Sequence, residues 1–315
     1  MRILITGGAG FIASHVADAY IQLGHTVSIL DDLSRGFRHN INSRATFYEG
    51  DIRDREFLER VFAEVQPEVV NHHAAQMDVR RGVREPLFDA SVNIIGSVNL
   101  LEASIAHKTR HFIYISTAGA AYGEPRTLPA SENCPINPIT PYGISKHTVE
   151  HYLYTFAVLY GISYAVLRYG NVFGPRQSSE GEAGVFAIFC EQMLAGIQPV
   201  IYGDGTKLRD YVYIDDVVAA NIAALERGGN EVFNIGSGVP TSDDQVFYLV
   251  QGVLGMTDVG PRYVPRRPGE IERIYLDVSK AKRLLGWEPK VPLEVGARHT
   301  VSFFQQGPHS LSHAV

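Results

Sequence analysis

Short β-branched runs alternate with amphipathic stretches through the first half of the chain. Ile3-Leu4-Ile5 reads as a buried strand. Residues 10–23 then place Ile12, Val16, Ala19, Tyr20 and Leu23 on one helical stripe, which Gly24 closes. Val27–Leu30 predicts a second strand ending at Asp31-Asp32, and Thr46-Phe47-Tyr48 a third. A helix over 54–65 turns Phe57, Leu58, Val61 and Phe62 inward, and Val69-Val70 opens a fourth strand. A long helix after Pro86 carries Val92, Ile95, Val98, Leu101 and Ile105. His111–Ser116 and Tyr164–Arg168 are the fifth and sixth strands, with a helix over 141–160 between them. Strand–helix alternation of this kind predicts an α/β fold, a doubly wound parallel sheet covered on both faces.

After residue 170 the rhythm breaks. Segments 171–210 and 239–300 are richer in Gly, Pro and Arg, while Tyr211–Leu225 and Glu231–Gly236 read as one more helix and strand of the first sheet. The expected organisation is a first domain of residues 1–170 plus 211–238 and a smaller, discontinuous α/β domain of 171–210 plus 239–304. The polar tail 305–315 is expected to fray.

The length of 315 residues fits two domains of roughly 150. With 45% hydrophobic and 20% charged residues the chain is neither disordered nor fibrous. The 28 Lys+Arg against 34 Asp+Glu leave a net charge of -6, which argues against nucleic acid as a partner. The two cysteines, Cys134 and Cys190, are too few for a disulfide framework or a zinc ribbon and fit a reducing compartment. No apolar run reaches the roughly 18 residues that span a bilayer. The expectations are therefore a cytoplasmic protein, no membrane and no metal.

Candidate chemistry lies at the carboxyl ends of the strands, where open α/β sheets bind ligands. Gly8, Gly10 and Ala13, between the first strand and first helix, satisfy a dinucleotide fingerprint of the Rossmann kind. Glycines let the backbone approach a pyrophosphate, which rests on the helix N-terminus. Asp31, 21 residues beyond Gly10, is placed to take ribose hydroxyls. Two carboxylates, Asp31 and Asp32, disfavour a 2′-phosphate and so favour NAD over NADP, although Arg35 and Arg38 pull the other way. Farther on, Thr140 and Pro141 open a helix with Tyr142 and Lys146 four apart on one face. A phenol beside a fixed cation has its ionised form favoured, so Tyr142 is a candidate acid/base with a lowered pKa. Ser116-Thr117 ends the fifth strand and offers a hydroxyl to a substrate.

These motifs, with Gly50-Asp51-Ile52, His73-Ala74-Ala75-Gln76, Val92-Asn93, Arg168–Pro175, Gly203–Asp216 and Arg267–Glu270, resemble the extended short-chain dehydrogenase/reductases, the NAD-dependent epimerase/dehydratase family. The likeness runs over nearly all of residues 1–300, and within the family it is to the 4-epimerases of nucleotide sugars. It implies NAD contacts from Gly7, Gly10, Phe11, Ile12, Asp31, Asp51, Ile52, Ala74, Asn93, Tyr142 and Lys146. It implies a UDP-hexose pocket lined by Asn171, Gly184, Val185, Tyr202, Arg209, Arg267 and Glu270, the arginines being fork donors for a diphosphate. Many members carry a catalytic Ser or Thr at the position of Ala118. Here the strand end resembles the family's Ser-Thr-Gly-Gly variety, which makes Thr117 the catalytic hydroxyl and Ser116 the fallback.

The implied activity is reversible inversion at the sugar C4, interconverting UDP-glucose and UDP-galactose through a 4-keto intermediate. A nucleotide-sugar dehydratase is the main rival, but it needs an extra acid beside the hydroxyl, and residues 118–121, Ala-Gly-Ala-Ala, offer none. A non-catalytic NAD(P)-sensing regulator is a second rival, and such proteins often lose the Tyr/Lys pair kept here. The resemblance further implies a homodimer paired through the helices at 86–106 and 141–160, where Leu153, Phe156 and Val158 cannot all face the sheet. It also places Ile274 where the sugar C2 substituent is gated.

Overall fold

The alternation of apolar and polar positions sorts side chains onto two faces of one sheet. In β1 (Arg2–Thr6), Ile3 and Ile5 enter one core while Leu4 enters the other. The same period of two separates Ile113 and Ile115 from Phe112 and Tyr114 in β5 (His111–Thr117). It separates Ala165 and Leu167 from Tyr164 and Val166 in β6 (Ser163–Tyr169). A strand apolar on both sides must be covered on both sides, and only helices can do this in a parallel sheet. The computed structural model describes residues 1–179, 184–267 and 270–307 of the chain.

The sheet has seven strands in the order β10-β6-β5-β4-β1-β2-β3, all parallel. The remaining four are β2 (Thr26–Asp31), β3 (Thr46–Glu49), β4 (Val69–His72) and β10 (Glu231–Ile235). One face carries α1 (Phe11–Gln22) packed on α9 (Ile214–Ala224). The other carries α2 (Arg55–Val65), α5 (Gly96–Ala106) and α7 (Pro141–Tyr160). This is the doubly wound Rossmann arrangement that the sequence predicts.

The long helix expected after Pro86 is interrupted. It runs as α4 (Pro86–Ala90), a π turn over Ser91–Ile95, and then α5. The extra residue of the π turn brings Asn93 to 1% exposure under the sheet edge. The helix expected over Tyr211–Leu225 begins only at Ile214. The aromatic, β-branched run before it ends strand β9 (Leu208–Tyr213), paired with β7 (Asn171–Phe173) and β11 (Pro240–Ser242) in a separate three-stranded sheet. A further parallel pair joins β8 (Val200–Tyr202) to β12 (Arg262–Val264).

Around these small sheets lie α8 (Val185–Leu194), α10 (Asp243–Leu254) and α12 (Leu293–Gln306). Phe173, Phe186, Tyr211 and Phe247 extend the core from the large sheet into this region without a break. Gln305 and Gln306, assigned to a frayed tail, close the last turn of α12, and residues 308–315 lie outside the described residues. Among the described residues no helix is long and apolar enough to cross a membrane.

Candidate active site

The carboxyl edge of β1 turns sharply through Gly7, whose φ is +71°. A Cβ there would lie 2.6 Å from the backbone nitrogen of Ala74, so the chain after β4 closes on the turn. Gly10 is the N-cap of α1 and brings no side chain to its first-turn N–H groups, leaving them to an anion. Phe11 and Ile12 form that half-buried first turn. Asp31 is 7% exposed at the tip of β2 and accepts from Ala9 N at 3.0 Å and Leu33 N at 2.8 Å. Burial raises its pKa, and the two N–H donors offset part of that rise.

The other residues implied in cofactor contact line the same edge. Asp51 is held by the guanidinium of Arg53, and Ile52 lies under Gly96. Asn93 has its amide engaged, accepting from Gln76 N at 2.8 Å and donating to Gln76 O at 2.9 Å. His73 contributes a buried Nε2 with no partner in the protein, and burial holds this ring neutral with its pKa at about 3. A glycine cradle without Cβ atoms, open helix N–H groups, a carboxylate at the tip of β2 and an orphaned buried nitrogen together suit a dinucleotide.

Thr140 caps α7, its Oγ1 accepting from Gly143 N at 3.2 Å. Gly143 packs so close to Ala120 O that a Cβ would stand 2.2 Å from it, which presses the first turn of α7 against the loop after β5. That turn carries Tyr142. One turn on, Lys146 is buried and donates from Nζ to Ile115 O at 2.8 Å. Burial lowers the lysine pKa to about 8, with Asp89 and Glu150 working the other way. Tyr142 departs from the sequence expectation: burial, reinforced by the charge of Asp89, raises its pKa above the usual phenol range. Lost hydration, and after it the nearby carboxylate, set this direction.

Two hydroxyls compete at the end of β5, and their surroundings differ. Ser116 is 3% exposed and donates to Glu150 Oε1 at 2.6 Å. Thr117 is half-buried at the strand tip, opposite Tyr169. Ser116 thus belongs to an internal network in which Glu150 also pairs with Arg168, and Arg168 donates to the Tyr122 hydroxyl at 2.8 Å. Asp89 is a second such carboxylate, fully buried and accepting from Ser145 Oγ at 2.6 Å, Gln76 and Asn93.

The implied substrate residues gather around the small sheets. Asn171 begins β7, Gly184 caps α8 and Val185 is the first residue of that helix. Arg267 stacks on Tyr202 with its guanidinium carbon 3.3 Å from the ring centroid. Arg209 donates to Leu208 O at 2.9 Å. Glu270 pairs with Lys207 at 2.8 Å, and Lys207, 7% exposed, also reaches Asp243 at 3.3 Å. Pro268 and Gly269, between Arg267 and Glu270, lie outside the described residues. Lys207, Asp89, Glu150 and Arg168 were not among the sequence candidates; each is fixed by partners remote in the chain, and no local motif announces them.

The profile of the NAD dependent epimerase/dehydratase family matches residues 3–236. A UDP-glucose 4-epimerase of Mycolicibacterium smegmatis is 43% identical over 97% of this chain and 99% of its own length. The crystal structure of a UDP-glucose 4-epimerase from Thermotoga maritima with UDP-glucose superposes with a TM-score of 0.95, at 52% identity over 97% of this chain and 99% of that one. A Thermus thermophilus UDP-glucose 4-epimerase in complex with NAD gives 0.93, at 41% identity over 98% of this chain and 100% of that one.

The Glu150 carboxylate generates an acid-stability prediction. Burial opposes its charge, but hydrogen bonds from His147, Arg168 and Ser116 carry its pKa from 4.5 down to about 2. A depressed carboxylate stabilises the fold above its unfolded pKa, and that stability is lost as pH falls from about 4.5 through about 2. Over that window the native protein should lose about 3 kcal/mol more than Glu150→Gln. Near neutral pH the variant should be less stable by about 3–5 kcal/mol, because Arg168 is left unpaired. Urea unfolding of both proteins at pH 2–7 measures the difference; parallel curves would exclude this role.

Proposed function

The chain belongs to the NAD dependent epimerase/dehydratase family, and on that premise we infer that it is an NAD-dependent UDP-glucose 4-epimerase. The observation that carries this reading within the family is the turn after Thr117. Ala118, Gly119, Ala120 and Ala121 bring no acid to the catalytic hydroxyl, and Ala118 and Ala121 are buried. Elimination of water from the sugar requires an additional acid/base, whereas inversion at C4 requires only one proton relay and a reversible hydride acceptor.

NAD, when bound, would supply a reversible hydride acceptor for the sugar C4. It would be held by the Gly7–Gly10 turn, the first turn of α1 and Asp31, with Asp51, Ile52 and Ala74 around the base and ribose. Tyr142 removes the proton of the C4 hydroxyl and restores it after the sugar has turned over. Lys146, fixed by the Ile115 carbonyl, keeps its charge below about pH 8 and stabilises the Tyr142 phenolate that takes up this proton. Thr117 holds the same sugar oxygen by a hydrogen bond. The part built from 171–210 and 239–304 receives the nucleotide sugar. There Asn171, Gly184 and Val185 face the uridine and sugar, and Arg209 and Arg267, with Tyr202, clamp the diphosphate. Glu270 exchanges its Lys207 partner for a sugar or ribose hydroxyl.

Ile274 belongs to the same reading. It is 3% exposed, and a Cβ on Gly119 would lie 3.7 Å from its Cγ2, so it packs on the turn after Thr117. A branched side chain, stiff at χ1, closes the space for a C2 acetamido group and offers it no hydrogen bond.

We also infer a cytoplasmic homodimer. Cys134 and Cys190 are both free. Ile95, Ile144, Tyr152 and Leu159, on the π turn and α7, are large apolar residues left exposed. Of the residues singled out from sequence, Leu153 faces the sheet and is buried, and Val158 is exposed. Apolar faces on two neighbouring helices suit isologous pairing across a two-fold axis.

Four measurements test these readings. The proton spectrum of UDP-galactose incubated with the protein should show UDP-glucose. Tyr142→Phe should slow turnover by about 10²–10⁴-fold, and Thr117→Ala by about 10–100-fold. An unimpaired Tyr142→Phe would refute the site assignment. The kcat/KM for UDP-galactose should exceed that for UDP-GalNAc by roughly 10–100-fold, and Ile274→Ser should narrow the gap. Equal use of both sugars by the native protein would remove the gate. Light scattering at micromolar concentration should give twice the chain mass, and the Ile95→Asp, Leu159→Asp double variant should give the monomer mass. A monomeric native protein would count against the dimer.

A further inference from the structure

Lys207 is a buried lysine with a carboxylate on either side. It precedes β9, and its Nζ lies 2.8 Å from Glu270 Oε2 and 3.3 Å from Asp243 Oδ2. The register of β9 brings both neighbours to it. Ser242 of β11 pairs with Leu208 in antiparallel fashion, so Asp243, the first residue of α10, falls across from Lys207. On the other edge Leu208 donates from its N to Glu272 O at 2.9 Å and accepts from Ile274 N at 3.1 Å, so the chain carrying Glu270 runs alongside. Side chains two apart in an extended chain share a face, which puts Lys207 on the face of Arg209. Both charges reach one group: burial pushes the Asp243 carboxyl up, and Lys207, then Arg209, draw it back.

We propose, resting on the nucleotide-sugar reading, that Lys207 is a further cation for the substrate diphosphate and that Glu270 holds the place of a phosphate on it until the substrate arrives. The exchange follows from charge. A buried ammonium without an anion beside it is strongly unfavourable, so Lys207 keeps a carboxylate close. A diphosphate clamped by Arg209 and Arg267 brings negative oxygens to the face that Lys207 shares with Arg209. Phosphate and carboxylate repel each other across one ammonium, so the diphosphate displaces Glu270 instead of joining it. The displaced carboxylate is an acceptor only, and a ribose or sugar hydroxyl donates to it. Asp243 stays with Lys207 throughout, so the ammonium is never left alone. Lysine suits this exchange. Its ammonium is a point charge with three rotatable donors on a flexible stem, and it turns from carboxylate to phosphate without a fixed geometry. Arg267, stacked on the ring of Tyr202, instead offers a planar fork. No covalent bond changes and no proton moves.

The test is calorimetric titration of the NAD-saturated protein with inorganic pyrophosphate, which carries the charge of the diphosphate without a ribose, and with UDP. Lys207→Gln should weaken pyrophosphate binding roughly 10–100-fold, the range for one hydrogen bond to a charged group. Glu270→Gln should tighten it by roughly tenfold, because a neutral amide no longer competes for the ammonium. The opposite signs separate this role from a structural one: a lysine that only ties α10 to the chain around Glu270 predicts that both variants bind pyrophosphate more weakly. Glu270→Gln leaves the pair of Lys207 with Asp243 in place, and its result decides the question even where Lys207→Gln does not fold. Native-like pyrophosphate affinity in Lys207→Gln, or weakened or unchanged affinity in Glu270→Gln, would overturn the proposal alone while UDP still binds the native protein. A native protein that does not bind UDP would instead overturn the nucleotide-sugar reading, and this inference with it.

Discussion

The position of α7 along the sheet depends on one buried ion pair. Glu150, on α7, takes the guanidinium of Arg168 from β6 and the hydroxyl of Ser116 from β5, and both charged side chains are 5% exposed. Arg168 continues to the Tyr122 hydroxyl, which donates to Asn234 of β10 at 2.7 Å. Three neighbouring strands and one helix are thereby fixed to a common point. Only one register of α7 satisfies all of these donors, and that register sets Lys146 one turn away, under the Ile115 carbonyl, with Tyr142 a further turn out. A buried pair adds little net stability over a well-packed apolar substitute, and leaving one partner alone costs several kcal/mol. Its use here is positional.

The same device recurs along the carboxyl edge. Asp210 is buried and accepts from Ser237 N, Ser237 Oγ, Gly238 N and Leu276 N. It ties β9 to the loop after β10 and to the segment following Ile274. Asp89 joins the π-turned helix to α7 and to the loop after β4. Loops at this edge would otherwise carry unpaired backbone and side-chain groups, and each buried carboxylate gathers donors from two or three of them. The glycines do the complementary work. Gly170 and Gly236 both lie where a Cβ would strike Asp210, and Gly7 where one would strike Ala74.

Much of this was legible in the residues. The strands and most helices follow from apolar periodicity, because burial on both faces of a parallel sheet leaves a continuous signal. Gly7, Gly10 and Asp31 are readable because the turn, the helix start and the strand tip are local features with fixed spacing. Thr140, Pro141, Tyr142 and Lys146 are readable for the same reason, as a helix start with two side chains one turn apart. The limits are equally specific. The π turn around Asn93 leaves no mark in a 3.6-residue pattern. The strand ending at Tyr213 runs directly into a helix with no turn residue between them. That Leu153, Phe156 and Val158 cannot all face the sheet is legible, but which of them does is not: Leu153 is fully buried and Val158 exposed.

What the sequence determined by itself is whatever depends on neighbours in the chain: the parallel α/β fold, the glycine turn after the first strand, and the placing of Tyr142 and Lys146 one helical turn apart. Tertiary structure alone decided the electrostatics of the site and the different surroundings of two adjacent hydroxyls. The lysine, read in isolation, should lower the phenol pKa, yet Asp89, 53 positions earlier, and the loss of water reverse the direction. Ser116 and Thr117 are equivalent as residue types and differ because Glu150 lies beside one of them. Desolvation and through-space charge depend on distances between segments remote in sequence, and those distances exist only once the chain has packed.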